Sequence, residues 1–387
     1  MAIDKLQTDA LSNTVTANIA SLTIGANVSI NSSACGVGSG RIVAGGITLP
    51  SNFGVSSNTT NLLENRGGQL FFNGRRVDLV NEYGGTNPAI YGYAEGGNDG
   101  VAIVATADRI TFRTSVTAAS TVSNLTQARY FSAGISDCNI YGYVMGGENS
   151  GRKATTDRIT FSTSVAAAST ISNLSVARYY LAGVSDGAVY GYAMGGDSGA
   201  GVATTDRITF SSSVTAASTI SNLSTVRWAL AGVSGGAVYG YSLGGYTGAY
   251  VTTSDRITFS TSATAASTAS NISSARQSDG CSDGAIYGYS MGGYSTTYAA
   301  TTDRIAFSTS ITAASTTSNL SVARYGVAGL SDGAIYGYAM GGETGGISPA
   351  TTTTDRITFS TSATAANTAS NLSSARGYLV GLSDGAV

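Results

Sequence analysis

Residues 377–387 read GYLVGLSDGAV, and residues 87–97 read NPAIYGYAEGG. Joined in that order they make one complete copy of a motif that stands uninterrupted elsewhere, as in YLAGVSDGAVYGYAMGG at residues 180–196. The front half of the first copy is therefore found at the far end of the chain. Ends that complete each other in this way are expected when a linear array of repeats closes into a ring, because closure leaves no sheet with an unpaired edge. The stop at Val387, just as another copy begins, reads as that closure.

Three landmarks keep the register. Asp-Arg pairs begin at Asp108, Asp157, Asp206, Asp255, Asp303 and Asp355, with steps of 49, 49, 49, 48 and 52. A second arginine follows at Arg129, Arg178, Arg227, Arg276, Arg324 and Arg376 with the same steps, and six glycine pairs run from Gly96-Gly97 to Gly341-Gly342. Within one repeat, YLAGVSDG, AVYGYAMGG, TTDRITFS and SSVTAASTISN are short runs of Val, Ile, Thr, Tyr and Phe separated by Gly, Ser and Asp. Such runs predict four strands per repeat and almost no helix from residue 88 onward. Ser185-Asp186-Gly187 predicts a tight turn between antiparallel strands, since Asp and Gly tolerate positive φ. Six repeats of four strands predict an all-β, six-bladed β-propeller closed by the C-terminal strand, with an open solenoid as the structural alternative. Ala133-Gly134, Ala182-Gly183, Ala231-Gly232 and Ala328-Gly329 mark the innermost strand, where crowding demands small residues. The Tyr-Gly-Tyr strand beside it supplies rings to fill the space between blades.

Composition narrows the function. Of 387 residues, 42% are hydrophobic and 11% are Asp, Glu, Lys or Arg, with a net charge of -2, which speaks against a nucleic-acid partner. The chain has no histidine, so the commonest general base and metal ligand are missing. No serine sits in a GxSxG setting and no DxDxDG loop occurs, so the expectation is no enzyme, no cofactor and no metal. Cys35, Cys138 and Cys281 are odd in number and widely spaced, which suggests neither a disulfide framework nor a zinc site and fits a reducing cytoplasm. No leader-like segment or membrane-length apolar run is found, so membrane insertion is not expected.

Residues 323–342, ARYGVAGLSDGAIYGYAMGG, followed by TTDRITFS, resemble the repeat of kelch-type β-propellers, with arginine, tight turn, apolar strand and closing Gly-Gly in kelch order. The likeness covers residues 88 to 387. The customary kelch tryptophan is replaced by Val116, Val165, Val214 and Ala263, which argues against carrying over any kelch partner. Residues 1–80 differ from the propeller at 81–387. ASLTIGANVSINSS and GGQLFFNGRRVDLV (67–80), the latter with an Asn73-Gly74 hairpin signal, resemble β-rich attachment pieces of bacteriophage virion proteins. That resemblance implies a virion protein assembled in the host cytoplasm, a partner among other virion proteins, and a homo-oligomer such as a trimer.

Sequence variation between repeats is greatest in the loops after each Gly-Gly, and scaffolded variable loops commonly bind. The second arginines, Arg129, Arg178, Arg227, Arg276, Arg324 and Arg376, are expected on the same face, beside Tyr130, Tyr179, Trp228 and Tyr325, with Tyr246, Tyr250, Tyr294 and Tyr298 in the loops. Arginine beside aromatic rings suits a sugar surface or an acidic polysaccharide. The arginines also have a plainer reading, which is preferred: six copies of one internal salt bridge to the Asp-Arg pairs. Asn173-Leu174-Ser175 matches a glycosylation sequon but recurs at one place in the repeat, which points to structure. The leading expectation is a phage tail-fibre-type appendage whose propeller contacts a host-surface glycan. The alternatives are a structural or decorating virion protein and a cellular kelch-type interaction module.

Overall fold

A computed structural model of the protein describes residues 63–66, 69–72, 75–76, 90–345 and 350–384, the first three segments as backbone. Leu63–Arg66, Gln69–Phe72 and Arg75–Arg76 form a small antiparallel sheet with Phe72 opposite Arg75. The Asn73-Gly74 turn lies outside the described residues, as does the rest of the expected N-terminal module.

The remainder is a six-bladed β-propeller of four-stranded antiparallel blades. Blade 3 is representative, with Ala182–Ser185 innermost, then Tyr190–Met194, Thr205–Thr209 and Val214–Ala217. Blade 1 takes its inner strand, Val380–Ser383, from the far end of the chain and pairs it with Tyr91–Glu95, Leu382 lying opposite Tyr93. The ring closes as the split repeat predicts. Among the described residues helix is limited to three-residue 3-10 turns such as Thr170–Ser172. Among the described residues no helix is long and apolar enough to cross a membrane.

Burial explains why the strands lack a simple alternation. The second strand of each blade is covered on both faces by neighbouring blades, so YGYAM is buried at four successive positions. The outermost strand has neighbours on one side only, and VTAA is mostly exposed. At the axis the inner strands meet glycine to glycine. A Cβ on Gly183 would collide with the carbonyl oxygen of Gly134, and the relation repeats through Gly232, Gly280, Gly329 and Gly381 back to Gly134. That closed circle shows why no side chain is tolerated there.

Between blades the second tyrosine of each Tyr-Gly-Tyr stacks on a phenylalanine of the next blade, as in Tyr192 on Phe259 at 5.8 Å, and its hydroxyl bonds Ser262 at 2.7 Å. Burial pushes the Tyr192 phenol up to about 12. The first tyrosine is half-buried under the arginine of the Asp-Arg pair, Arg207 standing 4.4 Å above Tyr190. The turn at Asp186 is fastened by its carboxylate, which accepts the N–H groups of Ala188, Val189 and Tyr190 at 2.7 to 2.9 Å. Asn173 of the sequon accepts the N–H of Thr156 at 2.9 Å, a bond repeated by Asn222 with Thr205.

One substitution breaks the pattern. Where blades 2 to 6 bury Met145, Met194, Leu243, Met291 and Met340, blade 1 buries Glu95, 1% exposed with neither carboxylate oxygen partnered. Burial holds its carboxyl well above the ordinary range, opposed in part by Arg376. Below the unfolded value the carboxyl is protonated in both states and stability is full. As pH rises above it the unfolded chain ionises while the folded carboxyl stays protonated, so stability is lost progressively until pH passes the folded value. Glu95→Met is expected to raise stability by about 1–3 kcal/mol at neutral pH. The gain over wild type should shrink as pH falls toward about 4.5. Urea unfolding of both proteins across that range checks the sign.

Candidate functional site

The six second arginines are not on the surface. Each is buried, 0–2% exposed, just before the inner strand of its blade, and each pairs with the aspartate of that blade's Asp-Arg strand. The N···O distances are 2.7 Å for Arg129–Asp157, 3.0 Å for Arg178–Asp206, 2.8 Å for Arg276–Asp303, 2.7 Å for Arg324–Asp355 and 2.6 Å for Arg376–Asp108, and Arg227 pairs with Asp255 likewise. These guanidiniums hold the inner and third strands together and present nothing to a ligand. The preferred reading of these arginines, six copies of one internal salt bridge, is what the structure shows. The alternative of an arginine-lined mouth, and with it the reason to favour an acidic polysaccharide, finds no support among the described residues.

The aromatic residues do gather at that end of the ring. The residue after the arginine bridges to the residue after the Gly-Gly of the same blade, as Tyr179 does with Asp197 and Trp228 with Tyr246. The residue after that has left-handed backbone: φ is 57° at Phe131, 60° at Tyr180, 56° at Ala229, 70° at Gly326 and 59° at Tyr378. This conformation is uncommon for bulky residues, and here it turns the chain sharply into the inner strand and directs Phe131, Tyr180 and Tyr378 to the axial mouth. The rings form an unbroken circuit. Centroid separations run 3.8 Å from Phe131 to Tyr180, 5.2 Å to Trp228, 4.7 Å to Tyr246, 5.1 Å to Tyr250 and 6.0 Å to Tyr294. They continue 6.3 Å to Tyr325, 5.1 Å to Tyr378 and 4.4 Å back to Phe131. Tyr130, Tyr179 and Tyr298 attach at 4.3, 4.8 and 5.2 Å. Tyr325 is buried; the other seven aromatic candidates are half-buried with edges to solvent.

Blade 5 departs from the others. Arg276 and Gly280 are one residue closer than Arg227 and Gly232, so the left-handed residue is missing. The strand Gln277–Ser282 continues toward the mouth with a bulge between Gln277 and Asp279, opposite an extended Tyr287–Tyr294. Asp279 stands where blades 2, 3, 4 and 6 have Ala133, Ala182, Ala231 and Ala328. One of its oxygens accepts the N–H groups of Gly326 and Val327 at 3.1 Å each. Desolvation raises its pKa to about 7 against those two bonds. Asp279 and Ser278 share with Phe131, Tyr180, Tyr325 and Tyr378 the lining of an axial depression with about 370 Å³ of empty space, its open mouth included.

The rim is acidic. Glu148, Asp197 and Glu343 follow the Gly-Gly pairs, the last accepting a hydrogen bond from the Tyr378 hydroxyl. Arg152 offsets Asp197 at 2.9 Å and lies 5.6 Å above the Tyr179 ring. Among the described residues no group of three His, Cys, Asp or Glu is placed to hold a metal ion. Cys281 is a buried free thiol, and Cys35 lies outside the described residues. Sequence reading missed Phe131, Tyr180, Tyr378 and Asp279. The signal for Asp279 was present in the 48-residue step, which betrays the deletion in blade 5. Neither a protein-family model nor a curated protein matches the chain.

Proposed function

We propose that this chain is a non-enzymatic phage virion appendage of the tail-fibre type, whose propeller contacts a host-surface glycan through the aromatic mouth. Residues 1–80 serve attachment and self-association, as a homo-oligomer such as a trimer. The observation that carries this reading is the closed aromatic circuit together with its position. Strand Tyr91–Glu95 starts at the hairpin end, where the Tyr91 N–H meets Asp384, and leads to Asn98 at the mouth. The chain therefore enters the propeller on the face opposite the aromatic rings. A particle bound through residues 1–80 leaves that circuit facing outward.

Tyrosine and tryptophan suit such contacts because they offer rigid, amphipathic area at small entropic cost. Binding fits better than hydrolysis, since glycosidases use two carboxyl groups across the scissile bond and Asp279 is the sole carboxyl lining the depression. The test is binding of the full chain to candidate bacterial cells and their purified surface polysaccharides, beside a variant carrying Tyr246→Ala, Tyr250→Ala, Tyr294→Ala and Tyr298→Ala. Saturable binding weakened by roughly 30-fold or more is expected in the variant. Full retention by the variant would refute the aromatic mouth as the contact. Absence of binding even from a multivalent preparation would favour a structural or decorating role among virion proteins.

A further inference from the structure

We infer that the axial depression is a receptor for a compact ammonium group, the aromatic rings of Phe131, Tyr180 and Tyr378 supplying its walls and Asp279 its counter-charge. The inference rests on the preceding reading only for where the ammonium comes from, a substituent of the host-surface ligand.

Four observations converge. First, Asp279 stands opposite Met291 in the register where blades 2, 3, 4 and 6 have alanine; as scaffold, alanine suffices there. Second, the Gly326 and Val327 N–H groups engage one carboxylate oxygen, and the other has no hydrogen-bond partner among the described residues. No lysine or arginine lines the depression, so an ionised Asp279 has no counter-charge of its own. Third, Tyr325 contributes a buried hydroxyl that lies beside the Tyr180 hydroxyl, a polar group set among the rings. Fourth, the rings meet at tilts, 31° between Phe131 and Tyr180 and 50° between Phe131 and Tyr378, and so form a wall around the axis rather than a stack across it.

Aromatic faces carry negative quadrupole density and attract cations, more strongly where water is excluded. A carboxyl held near neutrality by desolvation regains its charge when a cation arrives, so each partner favours the other. The acidic rim of Glu148, Asp197 and Glu343 adds a field of the same sign. An anion or a guanidinium-seeking carboxylate finds no complement here. A protonated amino sugar and a quaternary headgroup share the required chemistry.

The experiment titrates the full chain with tetramethylammonium, with glucosamine and with two neutral controls, 3,3-dimethylbutan-1-ol and N-acetylglucosamine, by calorimetry. At least one cation should bind about tenfold more tightly than its neutral control. Which cation prevails separates the quaternary from the amino-sugar source. Affinity for tetramethylammonium, whose charge is fixed, should rise between about pH 5.5 and about pH 8.5 as Asp279 ionises. Its titratable neighbours, the Tyr180, Tyr325 and Tyr378 hydroxyls, stay protonated there because burial raises all three. Of the rim carboxylates Glu148, Asp197 and Glu343, the last is bonded to Tyr378, and the three are controlled for with Glu148→Gln, Asp197→Asn and Glu343→Gln. Asp279→Asn keeps an oxygen for Gly326 and Val327 and should fold, which a thermal melt verifies, yet lose about tenfold in cation affinity and its pH dependence. Equal binding of cations and neutral controls, or unchanged affinity in Asp279→Asn, would overturn the inference. Polysaccharide binding that persists while both cations fail would overturn it too and leave the proposed function standing.

Discussion

Arg178→Met is expected to destabilise the propeller by about 3–5 kcal/mol, the usual consequence of stranding a buried charge. Arg178 and Asp206 are both fully enclosed, 3.0 Å apart, and the same guanidinium nitrogen donates to the carbonyl of Ala193 at 2.9 Å. Methionine fills most of the volume but leaves Asp206 with only the Ser175 N–H, at 3.2 Å. The loss comes less from the attraction removed than from a carboxylate left in a dry interior. Adding Asp206→Asn should therefore recover a large part of it, which a ligand-binding role for Arg178 would not predict. Denaturant unfolding of the two variants and the wild type decides the matter. A single variant within about 1 kcal/mol of wild type would mean that water reaches the pair and that the burial argument fails.

Deleting residues 377–387 is expected to cost more. The inner strand of blade 1 buries Leu379, Val380 and Leu382, each 3–7% exposed, against the strands beside it. At about 1.5–3 kcal/mol per enclosed aliphatic side chain, roughly 5–9 kcal/mol is lost, comparable with the whole stability of many domains. The deletion also bares the edge of Tyr91–Glu95, a template for pairing with other chains. The truncated protein should aggregate or melt far below the full chain, and a peptide of residues 377–387 should partly restore it. A truncated protein that stays monodisperse with an unchanged melting temperature would contradict closure through this strand.

Much of this architecture could be read from spacing alone, because every blade repeats the same physical problem. Blade number, the split first blade, the glycine-bearing inner strand and the inter-blade tyrosines all follow from features that recur six times. The aspartates at a fixed distance from buried arginines belong to the same class. The site is written in the exceptions instead. Phe131, Tyr180 and Tyr378 share their position with Ala229 and Gly326, and nothing in a phenylalanine or tyrosine announces left-handed backbone. Asp279 takes the place of an alanine in an otherwise unchanged register, next to a bulge left by a one-residue deletion. Glu95 looks like one more variable loop acid until the register puts it in the methionine row. The arginines' repetition pointed to an internal salt bridge, which the structure shows, and only their binding alternative fails, because all six are buried.

The chain contains a single tryptophan, Trp228, and it stands within the aromatic circuit, 5.2 Å from Tyr180 and 4.7 Å from Tyr246. Its fluorescence reports on this mouth without any label. The most direct measurement is the emission of Trp228 during titration of the full chain with a surface polysaccharide from cells that it binds. A saturable change in Trp228 emission, with the midpoint of the binding curve and absent in the four-tyrosine variant, is the predicted result. Saturable polysaccharide binding that leaves Trp228 emission unaltered would contradict the aromatic mouth as the working face of the propeller.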